Sequence, residues 1–237
     1  MKTKLTIKFI TILGFVCVVT VSLYYGSEYY KYREVQRGLP KVYAIDTVMP
    51  PVNFGDDREF VGAADNVFVG KVIEQSGTIG RRGNPETQFA VNVILNIKGD
   101  LPKETTVNQL GGYKNGVLYV LNEGEKAAEY LLAPGSTYLF ATRAEKHTLT
   151  FWPYAAELLS SDKNLSYEDL LKIVQNNKRI TNLLIAYPDE ILMGPDILHN
   201  RTPNSFQSLS TEEQDRIKAE VAQMQTQEAP VPPTTTE

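Results

Sequence analysis

Apolar residues recur at three different spacings along the chain, and each spacing predicts a different kind of element. From Phe9 to Tyr25 the stretch "FITILGFVCVVTVSLYY" is apolar at most positions and carries no charge. From Val67 onward the period drops to two, the signature of strands. "NVFVGKVIEQ" predicts a first strand and "TQFAVNVILNIKG" a second, with Phe89, Val91 and Val93 on one face. "SGTIGRRGNPE" between them, with three glycines and a proline, predicts a hairpin connection. "TTVNQLGG" and "GVLYVL" give two more short strands. A Pro134-Gly135 turn then precedes the strand Thr137 to Thr142, and "HTLTFWP" completes the set. After Asp162 the spacing becomes helical. Ser166 with Asp169 makes a capping-box-like start, and Leu170, Ile173, Val174, Ile180, Leu183 and Leu184 predict one amphipathic helix to about Ala186. Ser210 with Glu213 repeats the signal for a helix to about Gln225, and "EAPVPPTTTE" has the composition of a disordered tail.

Five or six short strands separated by turn signals predict a small all-β barrel or sandwich. Gly70 interrupts the first strand where pairing should be strongest. A glycine inside a strand marks a bulge or a sharp bend, which a small barrel demands of its first strand. Before that strand, "DDREFVGAAD" predicts a short helical turn from Arg58 to Ala64, capped by Asp56 or Asp57, with Phe60 and Val61 pointing inward. Pro40, Pro50 and Pro51 give the preceding residues the character of a semi-extended spacer.

The first apolar run sets the expected compartment. Its length sits at the short end of the roughly 17 to 25 residues that cross a bilayer as a helix. Lys2, Lys4 and Lys8 precede it, and Tyr24, Tyr25, Tyr29, Tyr30 and Tyr32 follow it like an interfacial belt. The expectation is a single-pass signal-anchor with the rest of the chain outside the cell membrane. The alternative is a signal peptide cut near Ser22 or Gly26, which leaves the rest secreted. The formal net charge of −4 argues against a nucleic-acid partner. Cys17 is the single cysteine and lies inside the apolar run, so no intrachain disulfide and no catalytic cysteine is expected.

Four motifs taken in order carry a family resemblance. They are "ADNVFVGKV" from Ala64, "FAVNVILNIKG" ending in Lys98 and Gly99, "VNQLGG" from Val107, and "LLAPGSTYLFATR" from Leu131 to Arg143. Together they resemble the tissue-inhibitor-of-metalloproteinase-like (TIMP-like, or netrin-module-like) variety of the oligonucleotide/oligosaccharide-binding (OB) barrel, in the exported form found in Gram-positive bacteria. The resemblance implies an OB-like barrel over 58–160 in a mainly-β chain; the residue patterns place before it a basic cytoplasmic segment (1–8), a transmembrane helix (9–25) and a spacer (26–57). A helical extension (161–226) and a disordered tail (227–237) follow. The metalloproteinase inhibitors place a disulfide-locked amino-terminal cysteine on the target's zinc. This chain has no cysteine beyond Cys17, so no inhibitory residue carries over.

The residues offer little catalytic patterning. His147 and His199 lack partners at zinc-site or Ser-His-Asp spacing. Asp56, Asp57 and Glu59 form the densest acidic group; helix capping explains them more simply than calcium, since dedicated calcium-loop spacing is missing. Arg81 and Arg82, among Gly77, Gly80 and Gly83, are candidate ligands for an anionic polymer, because guanidinium pairs well with phosphate. Trp152 and Tyr113, with Phe151 and Tyr154, are candidates for a ligand face as in sugar- or base-binding barrels, and Arg143 would join Trp152 and the 77–83 loop. Asn164 and Asn200 head glycosylation-type triplets. The expected function is a binding module that recognises an envelope protein, peptide or polymer, with no catalytic residue, metal or cofactor assigned. The rival classes are a hydrolase using dispersed carboxylates such as Asp56, Asp57 or Glu59, and a structural subunit of an envelope assembly offering the 166–186 helix.

Overall fold

The structure, a computed structural model, describes residues 41–45, 52–81, 83–121, 130–145, 148–192 and 204–227. The chain divides into two compact units, Met1–Lys41 and Val42–Glu237, and apart from Lys41 every described residue belongs to the second. The expected anchor, most of the spacer and the tail beyond residue 227 lie outside the described residues. Within them, no helix is long and apolar enough to cross a membrane.

The second unit is mainly β with helices at its C-terminal end, as the spacing predicts. A short strand β1 (Lys41–Ala44) and a helix α1 (Asp57–Ala63) lead into two long strands, β2 (Asn66–Arg81) and β3 (Asn84–Lys98). Then come β4 (Glu104–Leu110), β5 (Gly112–Lys114), β6 (Val117–Val120), β7 (Thr137–Glu145) and β8 (Thr148–Ser160). Among the described residues three α-helices follow: α2 (Tyr167–Asn176), α3 (Lys178–Ala186) and α4 (Thr211–Gln227).

Hydrogen bonding joins five strands in the order β2-β3-β4-β8-β7, and β7 returns to β2 to close the ring. All these pairings are antiparallel except β4 with β8, which is parallel and only Val107–Gln109 long on β4. The ring is strongly staggered. Thr142 pairs directly with Asn66, yet the path the other way, through Phe151, Gln109 and Thr87, reaches β2 at Thr78. A second, three-stranded sheet has the order β1-β6-β5.

The run "VFVGKV" is apolar on consecutive residues because both faces of β2 are covered. Phe68 and Val72 point into the barrel with Phe89, Val91, Val107, Tyr138 and Phe140, where the Phe68 and Phe140 rings stack at 5.0 Å. Val67 and Val69 point outward and pack with Ile97, Leu139, α1 (Phe60, Val61) and α3 (Ile180, Leu183). Gly70 sits at a shift in the β2–β3 register, between pairs Val69–Leu95 and Gly70–Val93. A β-carbon built there would overlap the Val91 Cγ1 and stand 3.2 Å from the Phe68 ring. The glycine therefore marks a bulge, as its place in the strand suggests, and also makes room inside the barrel.

Three expectations are corrected. Residues 76–86 are not mainly a connection: β2 runs to Arg81 and β3 starts at Asn84, leaving a turn in which Gly83 takes φ +89°. Two strands can continue through glycines when a neighbouring ladder holds them, and only the turn needs one of left-handed conformation. Residues 41–44, inside the expected spacer, form β1, whose neighbour Ile45 donates to the Val120 carbonyl at 2.6 Å. The single helix expected over 166–186 is two. Asn177 ends α2 and starts α3, its side chain accepting from the Arg179 and Ile180 amides at 2.9 and 3.3 Å. Replacing an asparagine N-cap with alanine costs about 1 kcal/mol. Asn177→Ala is accordingly expected to lower the melting temperature by about 2–4 °C, measured by circular dichroism. The other caps follow the sequence signals: Asp56 caps α1, Ser166 caps α2, and Ser210 and Glu213 form a reciprocal capping box at α4.

Candidate functional site

Lys98 ends the apolar run of β3 and points away from solvent, fully buried. A buried ammonium needs acceptors on every side, and the C-terminal segment brings them. Lys98 Nζ donates to the Val61 carbonyl of α1 at 2.9 Å and to Glu190 Oε2 at 2.5 Å. Glu190 Oε1 accepts from the Phe206 amide at 2.6 Å. Ile191 donates its amide to the Arg58 carbonyl at 3.1 Å, and Gly62 lets the Ile191 backbone lie against α1, where a β-carbon would overlap the carbonyl. Burial pushes the Lys98 amine below the ordinary lysine value, and the Glu190 carboxylate opposes that shift.

Beside it lies a second charged pair. Asp65, at the α1–β2 junction, is 1% exposed; its Oδ2 accepts from the Ala144 amide at 2.8 Å, and Oδ1 has no hydrogen-bond partner among the described residues. Desolvation raises its carboxyl above the usual range, partly offset by the Ala144 amide and by Arg143. Arg143 Nη1 donates to the Ala63 carbonyl at 3.4 Å. Asn204 donates to the Asp65 carbonyl at 2.9 Å and receives the Tyr187 hydroxyl on its own carbonyl at 2.7 Å. This region has the ingredients of acid–base chemistry, an amine and two carboxylates. All three are shut from solvent and spent on holding together α1, β3, residues 187–191 and residues 204–206.

A third polar group sits near the β2–β3 turn. Arg81 Nη1 reaches Glu86 Oε1 at 3.2 Å, Asn108 donates to Glu86 Oε2 at 3.3 Å, and Gln88 donates to Asn108 Oδ1 at 3.2 Å. Glu86 and Asn108 are buried. Arg81 thus neutralises an internal carboxylate instead of projecting a free charge.

The structure places three of the five expected ligand residues, Arg81, Arg143 and Tyr113. Arg81 and Arg143 serve different internal networks. Tyr113 lies on β5 of the small sheet and is exposed. Arg82 and the side chain of Trp152 lie outside the described residues, as do both histidines' side chains. The acidic group is engaged as well: Asp56 caps α1, Asp57 pairs with Arg179 of α3, and Glu59 accepts from the Asn53 amide at 2.9 Å. No cluster that could hold a metal ion occurs among the described residues. Apolar side chains of α2 and α3, the segment considered as a partner surface, are buried against the core.

Two concave surfaces lie among the described residues. One, of about 460 Å³, lies between α4 (Ile217, Val221, Met224) and the end of β3 with Leu184 and Tyr187. The other, of about 610 Å³, runs across β2, β3 and β4, with small Ala90 and Asn92 on its floor and Ile73, Glu74, Glu104 and Thr106 around it. The register sets Glu74 opposite Ala90 and Thr106 beyond it, and Glu104 opposite Asn92. Asn92 Oδ1 is covered yet has no hydrogen-bond partner among the described residues. Sequence reasoning missed this surface, because its residues come from three strands and share no motif.

No family model matches the chain, and no curated protein or solved structure matches it.

Proposed function

We propose that the chain is a membrane-tethered, extracytoplasmic binding module built on an OB-like barrel of the TIMP-like kind. In this reading residues 9–25 anchor it, and the barrel recognises an envelope protein, peptide or polymer. The five-strand ring with one short parallel closure supports the OB-like assignment, since such barrels are partly open and carry ligands on the face of their early strands. The observation that carries the binding reading is the groove across β2, β3 and β4. It is a concave surface formed by three strands of the ring, the kind of face on which OB-like barrels bind, with exposed Glu74, Glu104 and Thr106 around it.

Glu74 and Glu104 at the groove disfavour an anionic polymer, and Arg81 is committed to Glu86. The groove chemistry suits an uncharged glycan or an extended peptide, whose amide or hydroxyl groups would donate to Glu74, Glu104 and Thr106. The test is photo-crosslinking on intact cells, with a photoreactive residue placed at Ile73 or Thr106 and, as control, at exposed Tyr167 of α2. Adducts specific to the first two positions are expected. Equal labelling from Tyr167, or none from the groove, overturns the reading.

A further inference from the structure

Beyond Lys71, β2 leaves β7 behind: the Val72 amide still reaches Ser136, but Ile73–Arg81 pairs with β3 alone among the described residues. This nine-residue edge is exposed or half-exposed along its whole length. Exposed edges are usually blunted by charge, proline or inward twist. Two bulges kink this one, before Glu74 and before Gly77, but from Gly77 to Arg81 the register is regular. Between Gln75 and Gly80 it carries neither charge nor proline.

The direction of its free groups is fixed by the neighbouring strand. The Pro85 carbonyl accepts from the Gly111 amide at 2.8 Å, so it points away from β2. Pro85 and Gly80 are therefore a non-hydrogen-bonded pair, and the Gly80 N–H and C=O point outward from the edge. Two residues back, Thr78 points the same way. Gly80 is glycine without internal cause: its φ is not left-handed, and a β-carbon there would meet nothing within 4 Å. Glycine weakens a strand, and often marks where another backbone comes close.

We propose that this edge pairs with the same edge of a second copy of the chain, antiparallel about a two-fold axis at Ile79. Thr78 and Gly80 flank Ile79 symmetrically, so each copy's Thr78 meets the other's Gly80 through both backbone groups. The two half-buried Ile79 side chains then touch across the axis. Antiparallel pairing about this axis keeps the two Glu74 carboxylates at opposite ends of the seam, whereas a parallel arrangement aligns them. The interface is isologous and closes at two copies. It does not depend on the ligand reading of the groove.

The test uses the full chain in its membrane, with Cys17→Ser to remove the native thiol and Ile79→Cys to add one at the axis. Non-hydrogen-bonded antiparallel neighbours have Cα atoms about 4.5 Å apart, within disulfide reach. Mild oxidation is expected to give a disulfide-linked dimer from Ile79→Cys and none from Tyr167→Cys. Adding Thr78→Pro, which removes an outward N–H and leaves the β3 ladder whole, is expected to cut the linked fraction at least tenfold. Ile79→Lys in the otherwise native chain, read by sedimentation in detergent, is expected to give monomers. Linkage no greater than that of Tyr167→Cys, or dimers that survive Thr78→Pro and Ile79→Lys, overturns the proposal.

Discussion

Lys98→Met is expected to destabilise the protein by about 3–5 kcal/mol, because removing one partner of a buried ion pair strands the other. Glu190 would keep its Phe206 hydrogen bond but lose the ammonium beside it, with 2% of its side chain exposed. The Val61 carbonyl would lose a donor as well. Against a typical stability of about 5–15 kcal/mol, this is enough to leave a substantial unfolded fraction or to release residues 187–191 from α1. Lys98→Met combined with Glu190→Gln should recover most of the loss, since the amide oxygen can still accept from Phe206 while neither member of the pair is left as a stranded charge. Urea unfolding of the two variants decides it; equal losses would refute the stranded-charge account.

The pH dependence has a defined sign. Burial lowers the Lys98 amine in the folded state. Between that lowered value and the ordinary lysine value of 10.5, the unfolded chain binds more protons at this site. Its contribution to stability therefore rises with pH across that window, and the cost of burying the charge is fully present below it. Tyr187, raised by burial, acts oppositely above its ordinary value of 10.0, so the comparison is the difference between wild type and Lys98→Met. That difference should widen as pH rises, and only inside the Lys98 window.

What could be read from the sequence was whatever depends on near neighbours. Asp56, Ser166 and Ser210 cap helices because the amides they accept from lie two or three residues on. Phe89 and Val91 share a face because strand period fixes it. The division at Asn177 was less legible, since the apolar spacing continues through it and only the cap reveals the break. The Lys98–Glu190 link joins residues on distant parts of the chain, and neither carries a local signal. The same holds for the candidate site. Arg81 and Arg143 read as free cations until Glu86 and Asp65 are seen beside them, while Ala90, Asn92 and Thr106 form a surface only after three strands are aligned.

Gly70→Ala is expected to cost about 1–3 kcal/mol, the usual penalty for overpacking a filled interior. Backbone conformation is not the cause, because Gly70 has no left-handed φ. The added methyl would overlap Val91 Cγ1 and crowd the Phe68 ring and the Asn92 carbonyl, and Phe68 is stacked on Phe140 with no room to retreat. If this overlap is the reason for the glycine, shortening Val91 should relieve it. Val91→Ala alone opens a cavity and destabilises, but Gly70→Ala with Val91→Ala should be more stable than the two separate losses predict, by about 0.5–3 kcal/mol of coupling. Strict additivity in chemical denaturation would mean that the glycine serves the bulge alone. Positive coupling would show that one side chain omitted from β2 is what lets β3 place a branched residue at the centre of the barrel.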